Sequence, residues 1–108
     1  MSTPMLANLL KLIGSPRDGA LLRFSLGNEY LKAGDLGAAA EQYRAAVGFD
    51  ANYSAAWKML GKALLEAGHA AEAAEAWRQG IAGAESRGDR QAVREMGVFL
   101  RRVERAGG

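Results

Sequence analysis

Two stretches of the chain repeat each other at a spacing of 34 residues. With residues 20–53 set above 54–87, nine positions are identical: Leu26/Leu60, Gly27/Gly61, Leu31/Leu65, Ala33/Ala67, Gly34/Gly68, Ala39/Ala73, Ala40/Ala74, Glu41/Glu75 and Arg44/Arg78. Others keep their character: Tyr30/Leu64, Tyr43/Trp77, Ala46/Gly80 and Val47/Ile81. A fixed period in this range demands stacked supersecondary units, because one such unit cannot bury its apolar face alone. Arrays of this kind present an extended surface and rarely enclose a catalytic pocket.

Within each period the apolar spacing is helical. Leu22, Leu26, Tyr30 and Ala33 recur every three or four residues, one stripe of a helix. Ala33-Gly34-Asp35 then interrupts it, glycine being suited to the left-handed position just past a helix end. Ala39, Ala40, Tyr43, Ala46 and Val47 form a second stripe. The next period repeats the scheme, with Trp57, Leu60, Gly61 and Leu64, the turn Ala67-Gly68-His69, then Ala73, Ala74, Trp77, Gly80 and Ile81. Two helices joined by so short a turn pack antiparallel. Gly27 and Gly61 stand mid-helix at one repeat position, where glycine costs about 1 kcal/mol relative to alanine. That cost, incurred twice at one place, predicts a neighbouring helix too close for a side chain.

The pattern resembles the tetratricopeptide repeat. That family's 34-residue unit has a large apolar residue at position 4, apolar at 7, small at 8, aromatic or apolar at 11, small at 20, aromatic at 24 and small at 27. The second period supplies Trp57, Leu60, Gly61, Leu64, Ala73, Trp77 and Gly80; the first supplies Leu26, Gly27, Tyr30, Ala39, Tyr43 and Ala46. Arg23 stands where Trp57 stands one period later, and Ala51 and Glu85 replace the proline often found at position 32. The first departure is expected to weaken the opening packing of repeat one, and the second to loosen the turn between repeats.

The flanks extend the register. One period before Ala39, Tyr43 and Ala46 lie Met5, Leu9 and Leu12, so residues 5–14 read as the second helix of a repeat without its first. With two extra residues after the second repeat, Val93, Met96, Gly97 and Leu100 fall on positions 4, 7, 8 and 11, and Gly88-Asp89 provides a turn and N-cap before them. The expectation is one all-α domain over residues 1–108: a half-repeat helix at 5–14, repeats at 20–53 and 54–89, and a capping helix at 90–105. The resemblance implies antiparallel helix-turn-helix units, about six helices, stacked into a short right-handed superhelix.

Chemistry is sparse. There is no cysteine, which excludes disulfides and thiolate metal sites and fits a reducing compartment. The lone His69 falls in a turn, and no Gly-rich phosphate loop follows a strand. No cofactor, metal site or catalytic residue is expected. The apolar stretch at 5–13 is broken by Asn8 and Lys11 and reads neither as a leader nor as a membrane span, so the cytoplasm is the expected location. Charge is uneven: residues 1–86 carry 8 Lys/Arg against 9 Asp/Glu, whereas residues 87–108 carry 6 Arg against 3 acids. A solvated helix face explains this, as does a basic patch for an acidic partner.

The resemblance implies a non-enzymatic protein-interaction module whose first helices line a concave groove for a partner peptide or helix. Its expected groove residues are Phe24, Asn28, Leu31, Lys58, Lys62, Leu65, Arg94 and Arg101, apolar toward one end and basic toward the other. A segment with acidic residues beside an apolar anchor would suit them. The set that grips terminal carboxylates in chaperone-binding relatives is matched only at Asn28, with Phe24, Met59, Gln91 and Glu95 at the other positions, so that function does not transfer. Two alternatives stand beside the groove. One is homo-oligomerisation through Val93, Met96 and Leu100, expected to face an absent partner helix. The other is weak nucleic-acid binding through the Arg-rich end.

Overall fold

The computed structural model describes residues 4–107. These form six helices: α1 (Pro4–Leu10), α2 (Ala20–Lys32), α3 (Leu36–Phe49), α4 (Ser54–Glu66), α5 (Ala70–Arg87) and α6 (Arg90–Gly107). Each packs on the next along the chain, and α4 also touches α6. The result is an elongated stack of 42 × 29 × 18 Å.

Local signals set the helix ends. Gly34 and Gly68 adopt φ of 80° and 90°, in the left-handed region that glycine enters without a steric cost. Beyond them the Asp35 N–H donates to the Tyr30 carbonyl and the His69 N–H to the Leu64 carbonyl. Both first helices therefore close with the same six-to-one bond that satisfies an otherwise orphaned carbonyl. At the starts, Asp35 Oδ1 accepts from the Ala38 N–H and Asp89 Oδ1 from the Ala92 N–H, each at 3.1 Å. Helix α5 is 18 residues long against 14 for α3, and the link after it is two residues, Gly88-Asp89, against four at 50–53, so the second unit is two residues longer.

The glycines mark the close approaches. A Cβ at Gly27 would lie 2.5 Å from Cε1 of Tyr43, and one at Gly61 would collide with the Trp77 indole. Tyr43 and Trp77 are correspondingly among the largest fully buried side chains. Gly80 does the same between repeats, its absent Cβ giving space to Met96 Sδ and Trp57 Cβ. Arg44 and Arg78, one period apart, both reach forward to the next unit, pairing with Glu72 at 2.8 Å and Glu104 at 3.1 Å. These exposed bridges are worth about 0.2–1 kcal/mol each, so packing dominates.

The first two turns depart from expectation. Residues 5–14 are not one helix: α1 stops at Leu10, and Leu12, Ile13 and Ser15 make three-residue backbone bonds to Leu9, Leu10 and Leu12. Gly14 at φ 81° and the Ser15 hydroxyl, bonded to the Leu12 carbonyl at 2.6 Å, complete this tight exit. Leu6, not Met5, is buried against Leu22 and Leu26. Arg23 does not leave a packing defect. Its guanidinium makes a two-pronged pair with Asp18, at 2.9 and 3.1 Å, and lies 5.8 Å from the Phe49 ring centroid. Asp18 also accepts the Gly14 N–H. The Arg23 hydrogen bond, then that of Gly14, holds the Asp18 carboxyl down at about 2.

Candidate functional site

The expected groove residues divide into three groups once their neighbours are known. Phe24 is half-buried between Tyr43 and Tyr53, with ring centroids 5.9 and 5.1 Å away. Asn28 accepts the Tyr43 hydroxyl at 2.6 Å, so its amide orients a core ring. Burial pushes that hydroxyl's pKa up to about 12. Leu31 is half-buried and, with Asn28, Met5 and Met59, lines a shallow depression of about 480 Å³. This end serves packing first and offers little free surface.

Lys58 is not the free cation the sequence predicts. Its Nζ pairs with Glu95 Oε1 at 3.2 Å, because α4 and α6 run side by side and place the two residues opposite each other. Lys62, one turn further along α4, has no carboxylate. Its ammonium lies 5.1 Å from the centroid of the Phe99 ring, on α6. Arg94 and Arg101 are exposed on α6. Among the described residues no carboxylate pairs with Lys62, Arg94, Arg101 or Arg102.

Leu65, 43% exposed, belongs to a feature that sequence reasoning missed. Between the start of α5 and the end of α6 runs a cleft of about 790 Å³, with Leu65, Ala70, Ala74, Trp77, Phe99 and Val103 in its lining. Trp77 and Phe99 meet within it, centroids 5.4 Å apart and ring planes tilted by 40°. Arg78 and Arg102 also line it. One signal could have revealed it. Where α2 and α4 break at Ala33-Gly34 and Ala67-Gly68, the third unit reads Val103-Glu104, so α6 runs on and its extra turn forms one wall.

Met96 corrects the expectation of an exposed association stripe. It is fully buried against Gly80 of α5, whereas Val93 and Leu100 are half-buried. On a helix, 96 lies about 60° from 93 and about 40° from 100, on the side toward the preceding helix, whereas 97 lies about 100° from 96 on the far side of that stripe. Among the described residues there is no cluster of His, Cys, Asp or Glu able to hold a metal ion, and no helix long and apolar enough to cross a membrane.

No protein-family profile matches the chain. It is 51% identical over 102 residues to a TPR repeat-containing protein of Pseudomonas aeruginosa, which covers 94% of this chain and 97% of that protein. A solution structure of a Bordetella parapertussis protein, 44% identical, superposes with a TM-score of 0.79 over 97% of this chain and 91% of that one. The crystal structure of a Salinibacter ruber tetratricopeptide repeat domain protein shares the fold at 23% identity, with a TM-score of 0.74 over 81% of this chain and 97% of that one. With the 34-residue period, the paired helices and the aromatic-on-glycine contacts already seen, these likenesses place the chain in the tetratricopeptide repeat family.

Proposed function

We propose that the protein binds a partner segment along the α4–α6 side of the stack, the segment carrying acidic residues beside an apolar anchor. Tetratricopeptide repeat proteins are in general protein–protein interaction modules, which sets the class of activity. The observation that carries the finer reading is the placement of Lys62 over Phe99. It sets the unpaired cation Lys62 over one ring of the apolar cleft of Leu65, Phe99 and Val103, which the unpaired Arg102 also borders. An acidic residue of the partner meets the cations, and an apolar side chain enters the cleft beside them. Each exposed charge adds about 0.2–1 kcal/mol, so together they act mainly on the association rate and its salt dependence. The protein works without catalysis in this reading, and its cations recognise a polypeptide.

The test is an NMR titration with a 16-residue amphipathic peptide of leucine and glutamate, against a counterpart with lysine for glutamate. The acidic peptide is expected to shift the Lys62, Phe99 and Val103 amides, to bind more weakly at 300 than at 50 mM salt, and to lose affinity in Lys62→Glu. Equal binding of both peptides, or shifts confined to another face, would remove this assignment.

A further inference from the structure

The chain contains an internal template for what covers the open face of α6. Positions 4, 8 and 11 of each unit face the second helix of that same unit. In repeat one the ring of Tyr43 fills the space left by Gly27, and in repeat two the indole of Trp77 fills the space left by Gly61. Both rings are anchored at their polar end, Tyr43 by Asn28 Oδ1 and Trp77 Nε1 by the Lys58 carbonyl. Each ring-bearing helix has small residues four before and three after the ring: Ala39 and Ala46 around Tyr43, Ala73 and Gly80 around Trp77. The third unit repeats the receiving half, with Val93, Gly97 and Leu100 at the same positions. A Cβ at Gly97 would meet only Arg101 Nη1, at 3.4 Å. No ring occupies that place.

We propose that this face is a docking site for a partner helix that lays one aromatic side chain on Gly97, with small residues four before and three after it. The site borders, but does not depend on, the Lys62–Phe99 surface. Charge adds a second requirement. Helix α6 carries five arginines against two glutamates, and Arg94 and Arg101 lie along one edge of the Gly97 face without carboxylate partners among the described residues. The docking helix is therefore acidic on the edge facing them. A second copy of this chain has no such helix free to give. Tyr43 and Trp77 are already fully buried on their own glycines, Phe24, with Ala20 and Gly27 at those spacings, is packed between Tyr43 and Tyr53, Phe49 ends its helix, and α1 has no aromatic residue. Arg101 is exposed, and its long side chain can swing aside when the ring enters.

The experiment uses the intact protein and a peptide copied from its own α5, residues 70–87, which carries the ring, the flanking small residues and a net negative charge. Saturable binding is expected at micromolar to millimolar peptide, with shifts centred on Val93, Gly97 and Leu100. It should weaken at least tenfold when the peptide tryptophan is alanine, and at least tenfold when the protein carries Gly97→Leu. Lys62→Glu should change it less than threefold, which separates this site from the surface proposed above. Absence of saturable binding to 1 mM, or binding indifferent to Gly97→Leu, would overturn the proposal. So would a lowered melting temperature in Gly97→Leu, since that would mean the face is already covered. A free protein that sediments as a dimer and is dissociated by Gly97→Leu would overturn it too, by assigning the face to a second copy.

Discussion

The indole of Trp77 fills the space that a side chain at Gly61 would need, and its Nε1–H donates to the Lys58 carbonyl at 3.2 Å. Both ends of the ring are thus committed, one to packing and one to a backbone acceptor. Gly61→Leu should drive α4 and α5 apart and cost about 1–3 kcal/mol. Trp77→Ala should cost about 3–5 kcal/mol, because a fully buried ring leaves a cavity the helices cannot close. Denaturant melts of both variants check these values.

Met96 and Gly80 hold α6 on α5 in the same manner. Met96→Ala should cost about 2–5 kcal/mol, as for other buried large-to-small changes. Leu100→Ala, at a half-buried site, should cost clearly less. Equal losses in thermal melts would mean that both residues share one environment.

The pair of Asp18 and Arg23 makes stability fall in acid. The Asp18 carboxyl is held at about 2 against an ordinary 3.8, so the folded state binds its proton less readily than the unfolded chain. Its contribution is complete above pH 3.8 and is lost as pH falls toward 2. Asp18→Asn should flatten that part of the melting-temperature profile, and Arg23→Leu should do the same.

Tyr43 acts at the opposite end of the scale. Burial raises its hydroxyl to about 12 from 10, so the unfolded chain ionises first as pH rises. The contribution is full below pH 10 and is lost between pH 10 and 12. Tyr43→Phe should remove that alkaline loss. Asn28→Ala should cost about 1–3 kcal/mol at neutral pH by leaving the hydroxyl without its acceptor.

Much of this was legible because the period carries it. The turn glycines, the buried rings and the glycines beneath them recur 34 residues apart, so each is read twice. What was not legible depends on neighbours from other turns of the stack. Lys58 reads as a free cation until α6 brings Glu95 beside it. Arg23 reads as a misfit until the turn at Asp18 supplies its carboxylate. Met96, Val93 and Leu100 read as one stripe, yet Met96 lies at its edge nearest α5 and alone of the three is fully buried, against Gly80. The long cleft needs the extra turn of α6, which shows in the sequence only as a missing turn glycine.

The claim that repeat register decides which helix faces are filled is tested most directly by alanine at one repeat position in three units. Gly27→Ala and Gly61→Ala place a Cβ against buried rings, so both should lower the melting temperature despite alanine's better helix propensity. Gly97→Ala meets only the end of an arginine and should hold or raise stability, by up to about 1 kcal/mol. Losses at 27 and 61 with none at 97 are the predicted result. A uniform effect at all three positions, of either sign, would contradict the account.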